Sequence, residues 1–148
     1  MAKDLIETAL QIALSVHAGQ RDKAGRPYIL HPLRVMAKMH TDEERGTALL
    51  HDVIEDGNFD IPKLLQTGIR ETVANAVDCL SKRDGEDYST FIERVMENPL
   101  AARVKRADVE DNIDVLRLAS LSDKDLQRVA KYHRAWHQLA SAEAEPSA

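Results

Sequence analysis

The chain has 148 residues, of which 43% are hydrophobic and 30% charged, and carries a net charge of −5. That is the make-up of one soluble globular domain with a good core, and it excludes a disordered chain. The negative balance excludes a general attraction to nucleic-acid polymers or anionic membranes, and a single cysteine, Cys79, excludes an intrachain disulfide or a cysteine-built metal or redox site.

Residues 3–18 place Leu5, Ile6, Ala9, Leu10, Ile12, Ala13 and Val16 at helical spacing, with Gly19 as the stop. This opening is amphipathic and lacks a signal-peptide pattern, and no later run reaches membrane-spanning length, so the expected location is cytoplasmic. His17 reads as a helix-end or core histidine. Residues 19–32 form a loop rich in breakers, in which Arg21, Lys23 and Arg26 supply the local positive charge that the whole chain lacks. His31 precedes Pro32 and is biased away from helical geometry, while Pro32 suits the first turn of a helix carrying Leu33, Val35, Met36 and Met39.

Thr41 and Asp42, with Glu44 behind them, cap the next helix. Its end is the stretch Ala48-Leu49-Leu50-His51-Asp52-Val53-Ile54-Glu55-Asp56. Read as one continuous helix, it sets His51 and Glu55, and Asp52 and Asp56, four apart on shared faces. Burying such groups unpaired costs several kcal/mol each. No Arg or Lys lies within the stretch, so a metal ion is the favoured counter-charge, with further ligands from elsewhere. A solvated helix face is the plainer alternative.

Asp60 starts a short helix with Ile61, Leu64 and Leu65 on its apolar face, broken at Gly68. Residues 70–81 give another, through Val73, Ala76, Val77 and Leu80. Residues 81–88 form a polar loop in which Lys82 and Arg83 either meet phosphates or are merely solvated. Phe91, Ile92, Val95 and Met96 mark the next helix, stopped by Asn98-Pro99. In the helix that Pro99 opens, Asp108 and Asn112 adjoin the stripe of Leu100, Val104 and Ala107 and can point inward together, while Glu110 and Asp111 read as its polar boundary. The last helix runs from a cap at Asp123 to Ala140, with Leu126, Val129, Ala130, His133, Trp136 and Leu139 on one broad apolar face. The prediction is an all-α bundle of seven or eight helices, a single domain over residues 1–140 and a frayed tail over 141–148.

Three pieces in order carry a resemblance. They are Tyr28-Ile29-Leu30-His31-Pro32, the stretch from Ala48 to Asp56, and Val104-Lys105-Arg106-Ala107-Asp108-Val109-Glu110-Asp111-Asn112, with Gly19-Gln20 upstream. Together they resemble the HD-domain phosphohydrolases, most closely the hydrolase domain of the RelA/SpoT alarmone enzymes, over residues 4 to about 118. The resemblance implies an HD-domain bundle with four metal ligands, His31, His51, Asp52 and Asp108. It implies Glu55 and Asp56 as the pair that orients and activates the attacking water, and Asn112 as a polar neighbour of the nucleotide sugar. The ion implied is manganese, and the two-imidazole, two-carboxylate set also suits iron or magnesium. The implied partner is a small phosphorylated nucleotide, most closely guanosine 3′,5′-bis(diphosphate), from which the 3′-pyrophosphate is removed. Arg21, Lys23, Tyr28 and Lys82 are the other implied substrate contacts.

The chain departs from the pattern at Asp22, where the alarmone hydrolases carry Arg or Lys, and it is shorter between Leu80 and Pro99. Those departures leave a second substrate class open, such as a nicotinamide dinucleotide phosphate losing its 2′-phosphate, and a catalytically silent nucleotide-binding module is the rival from another class. A purely structural bundle without an ion is the third reading, weakened by the acidic groups it leaves uncompensated. The sequence reads as a small stand-alone hydrolase, and a homo-oligomer is compatible with it.

Overall fold

The computed structural model describes residues 4–144, with side chains to residue 142. Among the described residues the structure is all-α, with nine helical segments and no strand. In chain order they are α1 (Leu5–Val16), α2 (Leu30–Ala37), α3 (Asp42–Leu50), α4 (Val53–Asp56), α5 (Ile61–Gln66), α6 (Glu71–Cys79), α7 (Tyr88–Met96), α8 (Pro99–Ile113) and α9 (Asp123–Ala144). None is long and apolar enough to cross a membrane.

Short polar side chains set most of the starts. Asp4, Thr41, Asp60, Asp87 and Asn98 each accept a backbone N–H from the first turn of the helix they open, which satisfies a donor the helix itself leaves orphaned. α9 is capped by Ser122 rather than by Asp123. The Ser122 hydroxyl accepts from the Asp125 amide at 3.1 Å and the Asp125 carboxylate accepts from the Ser122 amide at 2.9 Å, a reciprocal pair.

α3 is the central element. Gly46, Thr47, Ala48, Leu49 and Leu50 are all buried. Ala48 joins a cluster with Val35, Phe91, Ile92, Val104 and Leu139, while Leu49 and Leu50 join Ala9, Ile12, Val53, Leu64 and Val77. Each large aliphatic side chain buried in this way contributes roughly 1.5–3 kcal/mol. The packing at Gly46 is tight: a Cβ there would sit 3.1 Å from Leu5 Cγ of α1.

The chain differs from the expectation in four places that bear on the site. The stretch from Ala48 to Asp56 is not one helix; it breaks after Leu50. The His51 amide is only 3.5 Å from the Ala48 carbonyl, the His51 imidazole Nδ1 takes that same carbonyl at 2.6 Å, and Asp52 rests at φ −109°, ψ 3° before α4 begins. The side chain thus competes with the helix ladder and ends it. His31 is helical, in the first turn of α2 with Pro32, where a proline needs no amide partner, so the bias against a helical residue before proline is overridden. Asp111 is buried rather than a polar boundary. On α9 the buried residues are Ala135 and Leu139, while Leu126 and His133 face solvent, and the helix runs on through Ser141 to Ala144. Residues 145–148 of the expected tail lie outside the described residues.

Candidate metal centre and flanking clefts

The four side chains expected as ligands come from α2, the junction of α3 with α4, and α8. His31 comes from the first turn of α2, His51 from the end of α3, Asp52 from the start of α4 and Asp108 from the middle of α8. The break after Leu50 is what lets two consecutive residues, His51 and Asp52, turn toward one point. His31, His51 and Asp108 are buried, with one ligand atom from each within 4.8 Å of the others. The two Nε2 atoms are 3.1 Å apart. Asp108 Oδ1 lies 2.9 Å from His31 Nε2 and 3.5 Å from His51 Nε2, and Asp52 Oδ2 lies 3.0 Å from His51 Nε2.

The outer partners fix the chemistry. His51 Nδ1 meets the Ala48 carbonyl, which only accepts, so Nδ1 carries the proton. His31 Nδ1 donates to Asp111 Oδ2 at 2.6 Å. Asp111 is gripped by Arg34 Nε at 2.7 Å and Arg34 Nη2 at 3.0 Å. On both imidazoles Nδ1 is thus engaged, and Nε2 turns toward the other ring and toward carboxylate oxygens. Such a set repels itself unless a cation lies between its members, and a histidine held by a carboxylate or carbonyl on its far nitrogen is the usual companion of a metal ligand. The donor set fits a divalent metal ion.

The carboxylates demand positive charge at this point, and where no metal supplies it they draw a further proton onto the imidazoles. Burial disfavours charge on His51, but Asp52 and Asp108 outweigh it and hold its pKa well above the ordinary imidazole value. Burial likewise opposes ionisation of Asp52, and His51 overrides it to bring the carboxyl down to about 2. Asp108 is held well below its ordinary value against its burial, chiefly by Lys105, whose Nζ donates to Asp108 Oδ2 at 2.9 Å. Tyr28 donates its hydroxyl to Asp52 Oδ2, and burial with that neighbouring charge pushes the phenol far up.

Two clefts flank this centre. The first, about 270 Å³, is lined by Arg21, Lys23, Tyr28, His31, Arg34 and Asn112 together with Arg117, Arg128 and apolar Val115, Leu118 and Val129. The second, about 220 Å³, is lined by His51, Asp52, Glu55, Lys82, Lys105, Asp108 and Lys131, with Leu80, Phe91 and Tyr88. Tyr132 of α9 lines both. The expected substrate contacts thus divide, with Lys82 alone on the second side. Asn112 Nδ2 donates to Asp108 Oδ1 at 2.9 Å. Glu55 and Asp56 separate as well. Glu55 opens on the second cleft and accepts from the Lys82 amide at 2.7 Å, whereas Asp56 lines neither cleft and accepts from Gln20 Nε2 at 3.2 Å.

Asp22 has a local task. Its Oδ1 accepts from the amides of Ala24 and Arg26, both at 2.9 Å, and closes the turn that presents Arg21 and Lys23. The sequence reading missed Arg34, Lys105, Asp111, Lys131 and Tyr132. Lys105 was within reach, since it sits three residues before Asp108 on one helix. Arg34, three residues after His31, carries a similar signal. The α9 residues left no such trace.

The chain matches no family model. It is 41% identical over 91 residues to the guanosine-3′,5′-bis(diphosphate) 3′-pyrophosphohydrolase of Haemophilus influenzae, covering 59% of this chain and 13% of that one. It is 32% identical over 136 residues to the enzyme of the same name from Vibrio cholerae, covering 81% and 19%. The chain therefore spans less than a fifth of the length of these relatives. A solved structure of a metazoan ortholog of SpoT, described as hydrolysing ppGpp, superposes over 100% of this chain and 90% of its own with a TM-score of 0.75 at 21% identity, which is a likeness of fold. With the helical bundle, the ordered motifs and these relatives in agreement, the chain belongs to the RelA/SpoT-type HD-domain family.

Proposed function

We propose that this protein is a metal-dependent pyrophosphohydrolase that removes the 3′-pyrophosphate from guanosine 3′,5′-bis(diphosphate), with manganese as the ion. What carries the reading is the approach of His31 from α2, His51 and Asp52 from the break between α3 and α4, and Asp108 from α8, with both imidazoles held on their far nitrogens. These four residues would hold the ion. When bound, it supplies polarisation of a phosphoryl oxygen and a water of lowered pKa.

The rest falls to the chain. Water oxygen forms the new bond to the phosphorus attached to the ribose 3′ oxygen, and the bond between that phosphorus and the 3′ oxygen breaks. Glu55, open to the second cleft beside His51 and Asp52, accepts the water proton. Asp56, tied to Gln20, holds the acidic turn in place. The 3′ oxygen leaves with a proton from solvent, giving the nucleoside 5′-diphosphate and pyrophosphate. Arg21 and Lys23 meet the 5′-phosphates, and Tyr28 fixes Asp52.

The test is purified protein loaded with manganese and offered guanosine 3′,5′-bis(diphosphate), nicotinamide dinucleotide phosphate and simple nucleoside polyphosphates, with products separated by chromatography. Guanosine diphosphate and pyrophosphate are the expected products. Bound manganese with no turnover of any nucleotide overturns the enzymatic reading, and release of phosphate from the dinucleotide alone moves the substrate to that class.

A further inference from the structure

α4 is a single turn of four residues, and it carries both Glu55 and Asp56. So short a helix is not held by its own ladder. Its two carboxylates are pinned from outside, Glu55 by the Lys82 amide at 2.7 Å and Asp56 by Gln20 Nε2 at 3.2 Å. The first anchor is a backbone amide, which can only donate. The second is a carboxamide, whose two ends differ in chemistry and exchange places by a half-turn.

His17 decides which end of Gln20 faces Asp56. Its side chain is fully buried where α1 ends. Its Nδ1 lies 2.9 Å from Gln20 Oε1 and 3.8 Å from Asp56 Oδ2. A carboxylate only accepts, so the Gln20 amino group faces Asp56 and the Gln20 oxygen faces His17. That oxygen also only accepts, so His17 Nδ1 is the donor. The chain of bonds runs one way, from His17 to Gln20 to Asp56. The Gln20 main chain is fixed as well. Its amide donates to the His17 carbonyl at 3.0 Å, and its carbonyl accepts from the Tyr28 amide at 2.8 Å. The Tyr28 ring centre lies 4.8 Å from that of His17.

The other nitrogen of His17 does nothing of this kind. Nε2 is buried without a hydrogen-bond partner among the described residues. Burying a ring nitrogen unmatched costs stability, and an apolar ring of similar shape would avoid that cost. A histidine at this place is accounted for by what Nδ1 does.

We propose that His17 is a positioning residue for the acidic turn: its Nδ1 donor sets the Gln20 carboxamide so that Asp56 is held, and with it the single turn that aims Glu55 into the second cleft. His17 lines neither cleft and acts only through Gln20. The proposal rests on the hydrolase reading only for the claim that turnover depends on this turn.

The test separates the ring from its donor. His17→Phe keeps a ring beneath Tyr28 and removes the donor, whereas His17→Asn keeps a donor at the place of Nδ1. His17→Phe is expected to lower kcat about tenfold, the scale of one hydrogen bond. KM and manganese affinity should stay within about twofold. His17→Asn should recover most of the lost kcat. Gln20→Ala should show the same loss as His17→Phe, and the double variant no further loss; additive losses overturn the proposal. Long-range proton–nitrogen NMR of the metal-free, unaltered protein at mildly alkaline pH should place the hydrogen of His17 on Nδ1. A hydrogen on Nε2 instead overturns the proposal. The Gln20 side-chain amide signals should move in both His17→Phe and Asp56→Asn. If they do while the unaltered protein turns over no nucleotide, the hydrolase reading falls and the hold on Asp56 stands. If His17→Phe turns over nucleotide as fast as the unaltered protein, the positioning role falls and the hydrolase reading stands.

Discussion

Two polar clusters in this molecule carry similar depressed carboxylates and mean opposite things. Around Arg94 every donor has an acceptor. Its Nε and Nη2 meet Glu86 at 2.9 and 3.1 Å, Nη1 donates to the Cys79 carbonyl at 2.9 Å and Nη2 to the Ser81 carbonyl at 3.0 Å. This clasp ties the loop after α6 to α7 and closes on itself. Around His51 both Nε2 atoms and the Asp52 and Asp108 carboxylates converge on one point instead, where positive charge must come from protons on the rings or from a bound ion. Glu86 and Asp52 are each held near a pKa of about 2, Glu86 by its bonds to Arg94 and Asp52 against its burial by His51. A shifted pKa therefore does not separate a structural network from a functional one. The balance of donors and acceptors does.

The sharpest way to break the comparison is to remove one member from each cluster. His51→Ala is expected to abolish metal binding and lower hydrolysis by at least about 10³-fold, since several kcal/mol of charge stabilisation goes with the ion. Metal analysis and turnover check it. Saturating manganese at about 100 times its Kd should stabilise the unaltered protein by about 2.7 kcal/mol. The variant should show no such shift in a thermal melt. Were the variant to keep its metal, the four-residue centre would be wrong.

Asp111→Asn comes next. Asp111 touches no proposed reacting atom, but it orients His31 and is itself held by Arg34. Loss of the carboxylate is expected to weaken manganese about 10- to 100-fold, as for other outer partners of metal-bound histidines. Titration of the metal-depleted protein measures this without recourse to activity. On the other side, Arg94→Ala should leave metal content and turnover nearly untouched. It should destabilise the fold by about 1–3 kcal/mol, from the Cys79 and Ser81 carbonyls that lose a donor. Urea denaturation reads that, and a loss of metal in this variant would mean the clusters are coupled.

The two clusters also differ in how far the amino-acid order foretold them. The bundle and its caps were legible, because apolar spacing in residues 5–16 and 70–80 and short polar residues such as Thr41, Asp60 and Asn98 act locally. The ordered motifs pointed to His31, His51 and Asp108, which offer atoms within 4.8 Å of one another. The break after Leu50 was not, because it depends on a histidine side chain taking a helix carbonyl, which spacing alone does not report. Asp111 was misread because Asp111 and Asp108 sit on adjoining faces of α8, and only the approach of α2 with Arg34 makes burial of both affordable. The second cleft was invisible for the same kind of reason. Lys82, Tyr88, Lys105 and Lys131 come from a loop and three helices, and no stretch of chain holds more than one pair of them.

The gentlest probe of the contrast is acid. Glu86 has an ordinary pKa of 4.5 and is brought to about 2 in the folded protein, by the side-chain bonds from Arg94 first and by the Arg83 amide next. A carboxyl with a depressed folded pKa favours the folded state above its unfolded pKa, and that contribution is lost as pH falls through the folded one. The clasp should therefore be fully formed above pH 4.5 and release its stabilisation between pH 4.5 and about 2. Glu86→Gln, which keeps the shape and removes the proton site, should flatten that part of the urea-midpoint profile and change little at neutral pH apart from a small uniform loss. The steepness that remains in the variant belongs to other carboxylates, Asp52 and Asp108 foremost. Saturating metal should shift that remainder and leave the Glu86 portion where it was.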